Sequence, residues 1–372
     1  MKYKPSINFL PKLSEIKNTK EQEKNVENLN KLFKEHRIKA EVKGFEIGPI
    51  IPKYHVYLLK GGKYKDVVQM HKEIALITGS KVGYTYLSGP IPGKHYFDIE
   101  SVNNNIATLP LRYFLESPKM LSDESKLVVP FGLQEYGDIK IEDIRDQPHL
   151  LVAGMKNSGR TTFLHIIITS LILRNSPKEL KFILIAPKTT KFDVYKKIPY
   201  LAKPILKNED GIKKAFEWAE KEIFDRFGLF ENSKVTDIER YNEKSKEKLE
   251  RIVIVVQDLS KCFSKTPALI ERCVIRIAQY GRSAGIHLVL GTSDTSSKII
   301  TGLISANIPT RATFKVDDSK SSNRMIYRSG AEELLGKGDM LYMSWGTSTS
   351  KRLQTPYISK EDLEKLIKKV AV

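Results

Sequence analysis

Residues 154–161, Gly154-Met155-Lys156-Asn157-Ser158-Gly159-Arg160-Thr161, fit the frame of a phosphate-binding loop. Such a loop cradles phosphates with the backbone N–H groups of a glycine-rich turn that opens a helix. Its lysine reaches the β/γ-phosphates and its Ser/Thr hydroxyl binds Mg²⁺. The flanks agree, with Leu150-Leu151-Val152-Ala153 reading as a strand and Phe163-Leu164-His165-Ile166-Ile167-Ile168 as an apolar helix. Strand, turn and helix in that order commit the region to a parallel α/β layer. One position breaks the frame, because Arg160 stands where the lysine belongs. Arginine keeps the charge and binds phosphate bidentately, but the two cations are not interchangeable at a fitted site. The candidate nucleotide ligands are therefore Gly154, Lys156, Asn157, Ser158, Gly159, Arg160, Thr161 and Thr162, with Thr161 the candidate Mg²⁺ ligand. ATP or ADP with Mg²⁺ is the candidate cofactor, with weakened or lost binding as the alternative.

Further apolar runs continue the α/β rhythm: Phe182–Ile185, Ile252–Val256 and His287–Leu290. Unbroken apolar strands separated by helical stretches suit a parallel sheet buried on both faces. Helices are expected over 161–175, 211–229 and 267–281, and the charged stretch 236–251 as a solvated helix or flap. Upstream, Val26, Leu29, Leu32 and Phe33 fall at helix spacing, and short strands with one helix over 65–78 follow. The expected division is a small α+β domain over 1–120, a motor-like domain over 121–358 and a C-terminal helix over 359–372. That helix opens with Ser359 and Asp362 in a capping-box-like pattern.

The metal shell of a phosphate-loop enzyme needs an aspartate at the end of an apolar strand. The matching strand, Ile252–Val256, runs instead into Gln257-Asp258. Glutamine is neutral and a poor ligand for a hard dication. Strand alternation sends Asp258 to the opposite face from residue 257, so Asp258 enters as a candidate catalytic residue without a clear partner.

A net charge of +18, from 62 basic and 44 acidic residues, favours a polyanionic partner, nucleic acid first and an anionic membrane second. No apolar run reaches the roughly 20 residues that span a bilayer, and the N-terminus lacks an apolar signal region. Cys262 and Cys273 have neither zinc-site spacing nor disulfide density, which points to a reducing cytoplasm. Lys261 and Lys265 are candidate DNA contacts, with the basic stretch 234–248 behind them. His149 and His287 are read as structural groups at strand edges, and Trp218 and Trp345 as core.

Several longer segments resemble the FtsK/SpoIIIE family of double-stranded DNA translocases. Phe45-Glu46-Ile47-Gly48-Pro49-Ile50 and Pro90-Ile91-Pro92-Gly93-Lys94 are similar to that family's small α domain. Its motor domain is matched by Pro148–Gly154, Pro187-Lys188, Gly281–Leu290, Ile300–Ile304, Ala306–Arg311 and Leu334–Tyr342. The resemblance implies a RecA-like motor that assembles as a hexameric ring around duplex DNA, and it gives Arg282 as a candidate catalytic arginine. Chemical positions depart together: Arg160 for lysine, Ala186 for aspartate, Gln257-Asp258 for Asp-Glu, Thr292-Ser293-Asp294-Thr295 for Thr-Gln-Arg-Pro, and Ser322-Asn323-Arg324 for Ser-Arg-Thr. The framework survives while the chemistry changes, which implies a pseudo-ATPase. The family's membrane anchor and C-terminal winged-helix reader are not read in this chain, so contact with DNA is expected to tolerate any sequence.

Three functions follow from this pattern. The chain is a DNA-binding scaffold, ring or filament component with an impaired ATPase, or an active ATP-dependent DNA translocase, or a non-catalytic subunit of a competent FtsK-type motor.

Overall fold

The computed structural model describes residues 6–13, 19–47, 52–79, 85–87, 96–100, 108–134, 137–147, 149–187, 189–263 and 266–371. Contacts divide the chain into two compact units. The smaller holds Leu13–Leu109 with Glu135–Gly137, and the larger holds Met1–Lys12, Pro110–Gln134 and Asp138–Val372.

The smaller unit comprises α1 (Lys20–Glu35), β1 (Ala40–Ile47), β2 (Pro52–Leu58), α2 (Tyr64–Gln69), α3 (His71–Ile77), β3 (Tyr86–Leu87) and β4 (Tyr96–Glu100). Its strands lie in the order β1-β2-β4-β3, all antiparallel. Alternation in β2 buries Pro52, Tyr54 and Val56. Tyr54 and Val56 meet Leu29, Leu32 and Phe33 of α1 in one core. Asn30 fixes the register of helix on strand: its amide donates to the Val42 carbonyl at 3.0 Å and its oxygen accepts the Val42 N–H at 2.8 Å. The single helix expected over 65–78 is broken at Met70, where the backbone turns out of helical geometry.

The larger unit begins with α4 (Leu111–Leu115), α5 (Pro118–Ser122), β5 (Val128–Gln134), β6 (Ile139–Asp143), β7 (His149–Ala153), α6 (Arg160–Arg174) and β8 (Leu180–Ile185). It continues through α7 (Glu209–Asn232), α8 (Ile238–Lys244), β9 (Arg251–Val256), α9 (Pro267–Ala284), β10 (Ile286–Thr292) and α10 (Gly302–Asn307). β11 (Thr310–Phe314), α11 (Ser319–Ile326), β12 (Asp339–Met343), β13 (Lys351–Gln354) and α12 (Lys360–Val370) complete it. Among the described residues the sheet has nine strands, β6-β5-β13-β12-β11-β7-β10-β9-β8. The five from β11 to β8 are parallel, as the apolar runs require, and the rest add antiparallel. The antiparallel extension was not legible in the sequence.

Both faces of the parallel strands are covered. In β9, Val253 and Val255 join the core that α6 fills with Phe163, Leu164 and Ile167. Ile252, Ile254 and Val256 join the opposite core, built with Phe216 of α7 and Val274 and Ile277 of α9. The domain boundary expected at 120 is displaced by this packing. Leu111, Leu115 and Met120 are buried in the larger core, with Ile7 and Leu10 from the start of the chain and Leu363, Leu366 and Ile367 of α12. The charged stretch expected as a solvated helix or flap carries α8, and Asn242 clips it by exchanging two hydrogen bonds with the Leu249 backbone.

Arg311 is fully buried, and among the described residues no carboxylate pairs with it. Its Nη1 donates to the carbonyls of Arg324 and Met325, and its Nη2 to the carbonyl and hydroxyl of Ser305 and the hydroxyl of Tyr327. The last carbonyls of α10 and α11 have no partners within their helices and carry partial negative charge. One guanidinium thus satisfies the ends of both helices and docks them together. Arg311→Leu strands those acceptors in a dry site and is expected to cost about 2–4 kcal/mol, measurable by urea unfolding. A loss under about 1 kcal/mol would show that water enters and replaces the cation.

Candidate nucleotide-binding site

Pairing in the sheet decides where the chemistry lies. Ala153 pairs with Thr292, Leu290 with Val256, and Val256 with Ile185. The segments starting at 154, 293, 257 and 186 therefore leave the sheet at one edge, beyond the carboxyl ends of parallel strands, where ligands bind in such sheets.

The loop at 154–159 turns into α6 through three residues of positive φ, Gly154 at 157°, Asn157 at 65° and Gly159 at 111°. Asparagine tolerates that region and glycine adopts it freely. Gly159 is further constrained, because a Cβ there would lie 2.5 Å from the Gly338 nitrogen. Gly338 itself donates to the Ser158 carbonyl at 2.9 Å, so the loop is seated on the turn before β12. The first-turn N–H groups of α6 have no intrahelical acceptors and form an anion cradle. Lys156 and Asn157 are exposed, Thr161 and Thr162 half-buried, and Ser158 is buried with its Oγ unpartnered.

Arg160 turns inward. It is 7% exposed, Nη1 donates to the Gly154 carbonyl at 3.0 Å, and Nη2 lies 3.5 Å from Asp258 Oδ2. Burial lowers the guanidinium pKa and the Asp258 carboxylate raises it in return. Asp258 is itself held on several sides. Its Oδ2 accepts the Ser293 hydroxyl at 2.7 Å, and its Oδ1 accepts the Ser293 N–H at 3.3 Å and the Ser260 hydroxyl at 2.8 Å. The alternation argument that turned Asp258 away from the site is thus corrected. Strand β9 ends at Val256, and beyond it the chain is no longer pleated, so the carboxylate reaches the phosphate loop. Gln257 is buried with its Oε1 unpartnered.

A cleft of about 930 Å³ adjoins Thr161 and Thr162 and is lined by His165, Lys191, Tyr357 and Lys360. Sequence reasoning missed these groups and Ser293's hold on Asp258. The cleft residues come from distant segments with no motif, whereas Ser293 lies within the compared segment Thr292–Thr295, whose residue order does not record a bond to Asp258. Of the other expected residues, Lys261 is exposed in the turn after Asp258, and Lys265 lies outside the described residues. Arg282 is exposed in the last turn of α9, which leads into the start of β10, so it lies at the sheet edge opposite the phosphate loop. Its guanidinium stacks 5.4 Å over Trp345, which is 51% exposed rather than in the core. Cys262 and Cys273 are free thiols, and burial pushes them up to about 12 and about 11.

The FtsK/SpoIIIE family profile matches residues 110–262, and that of the FtsK alpha domain matches residues 5–103. The chain belongs to the FtsK/SpoIIIE family. It is 38% identical to the DNA translocase FtsK of Caldanaerobacter subterraneus subsp. tengcongensis over 89% of its length and 46% of that protein's. It is 34% identical to that of Lactiplantibacillus plantarum over 93% of its length and 44% of that protein's. The chain thus spans about half the length of the curated relatives it matches. Its larger unit has the fold of P-loop ATPase motors. The pCW3 conjugation coupling protein TcpA, solved with ATPγS, superposes with a TM-score of 0.64 at 21% identity, covering 93% of this chain and 99% of that one. The cytoplasmic domain of the type VII secretion ATPase EccC of Thermomonospora curvata gives 0.63 at 19% identity, over 71% of this chain and 34% of that one. Among the described residues no helix is long and apolar enough to cross a membrane.

His149 and His165 give the larger unit a pH signature. Burial, with His287 and Arg282 adding, lowers His149 to about 3, and burial, with Lys191 adding, lowers His165 to about 4. Above the ordinary value of 6.5 both are neutral in either state. Below it the unfolded chain takes up protons that the folded chain refuses. Each histidine then removes about 1.4 kcal/mol per pH unit. Urea unfolding at pH 7, 6 and 5 is expected to approach a slope of about 2.7 kcal/mol per unit at its acid end from this pair. His149→Gln with His165→Gln is expected to flatten it.

Proposed function

We propose that the chain is a double-stranded DNA-binding member of the FtsK/SpoIIIE family that binds ATP or ADP and hydrolyses it slowly or not at all. The observation that carries this reading is the ion pair of Arg160 with Asp258. Phosphoryl transfer needs a free cation on the phosphates and a free carboxylate to order the attacking water. Here the two neutralise each other, and Ser293 holds the acid in place. The relatives named DNA translocases and the net charge of +18 support duplex DNA as partner. Exposed Lys261 is a candidate contact. Arg282, remote from its own phosphate loop, suits a contact across an interface, in a ring or filament of this chain or in a competent FtsK-type motor. The buried free thiols suit a reducing cytoplasm.

ATP turnover measured with and without duplex DNA tests the proposal. Turnover below about 1 s⁻¹, unchanged by DNA, is expected. Duplex binding is expected to weaken linearly on a log–log salt plot. DNA-dependent turnover of about 1 s⁻¹ or more that is lost in Thr161→Ala would sink the impaired-ATPase reading. One observation favours that rival, an active translocase. Asp258 does reach the phosphate loop, so an acid able to order water is present once Arg160 moves to a phosphate. On that reading Asp258→Asn abolishes turnover.

A further inference from the structure

The family's fold implies Mg²⁺, and the residues present do not fit it. Mg²⁺ at a phosphate loop keeps several waters and is held by substrate phosphates, a loop hydroxyl and one or two carboxylates. Thr161 offers the hydroxyl, and the carboxylate is what this site lacks. The position at the end of β9 is Gln257, neutral, 6% exposed and with an unpartnered Oε1. The next acid, Asp258, has both oxygens committed to Ser293, Ser260 and Arg160. Among the described residues no group of three or more His, Cys, Asp or Glu side chains could hold a metal ion. The counter-charge is already in place, because Arg160 is buried at the mouth of the cradle and braced by the Gly154 carbonyl. A dication bridging the phosphates beside that guanidinium would meet like charge, with no free protein carboxylate to anchor it.

We infer that this site takes its nucleotide as the metal-free polyphosphate anion, with Arg160 supplying the charge that Mg²⁺ supplies in other phosphate-loop sites. This rests on the nucleotide-binding reading above. A phosphate entering the cradle offers Arg160 a bidentate partner beside its 3.5 Å contact with Asp258, whose carboxylate Ser293 and Ser260 continue to hold. The Gln257 amide strengthens the preference, since its NH₂ can donate to a phosphate oxygen as a carboxylate cannot. Arg160 and Gln257 are thus the residues that set metal independence.

Calorimetric titration of ADP and ATP, once in EDTA and once in excess Mg²⁺, tests this directly on the full chain. Affinity in EDTA equal to or higher than in Mg²⁺ is expected. Tightening by Mg²⁺ of about tenfold or more would overturn the inference and leave the nucleotide site standing. Absence of heat in both conditions, with circular dichroism showing a folded chain, would overturn the nucleotide reading and this inference together. Gln257→Asp supplies a second measurement: it restores an acid at the strand end and is expected to weaken binding in EDTA and recover it in Mg²⁺. An unchanged ratio of the two affinities in a folded Gln257→Asp chain would count against Gln257's role. The wild-type comparison stands whether or not that variant folds.

Discussion

Parallel pairing of β11, β7, β10, β9 and β8 brings four chain segments out at one edge of the sheet, and the chemistry of the larger unit depends on that register. It sets Arg160 beside Asp258, two opposite charges almost wholly removed from water. Burial works against the charge of Arg160, and the Asp258 carboxylate beside it favours that charge. The pairing is longer than a direct hydrogen bond, which leaves the guanidinium tethered chiefly through Gly154. A phosphate therefore competes with a weak contact rather than a strong one.

The substitutions that set this chain apart behave as a group. Arginine is longer than lysine and forked, and from the first position of α6 one nitrogen reaches back to the loop while another reaches Asp258. Ser293 is short enough to bond the same carboxylate through both its hydroxyl and its backbone. Gln257 removes the charge that would have made two adjacent acids repel in a dry site. Each change is intelligible only beside the others.

Much of this was readable from residue order. The phosphate loop, its flanking strand and helix, and the parallel core follow from glycine spacing and apolar runs, because those patterns report backbone geometry directly. Asp258 was misplaced because alternation was applied one step beyond Val256, where the strand had already ended. Tyr357, Lys360 and His165 at the cleft escaped because no local pattern records that α12 folds back beside α6. The boundary at 120 erred for the same reason: Leu111 and Met120 look like any short helix until the core they fill is known.

The buried guanidinium of Arg311 has a consequence for how the molecule responds to its surroundings. Three of its five acceptors are main-chain carbonyls and the others are neutral hydroxyls. The guanidinium itself is fully buried, where salt screens much less than at the surface, although Tyr327 is 62% exposed. The clasp on α10 and α11 therefore answers far less to ionic strength than any grip on a phosphate backbone. Salt can strip a polyanion from this surface while the scaffold beneath keeps its shape, so attachment and integrity answer to separate controls.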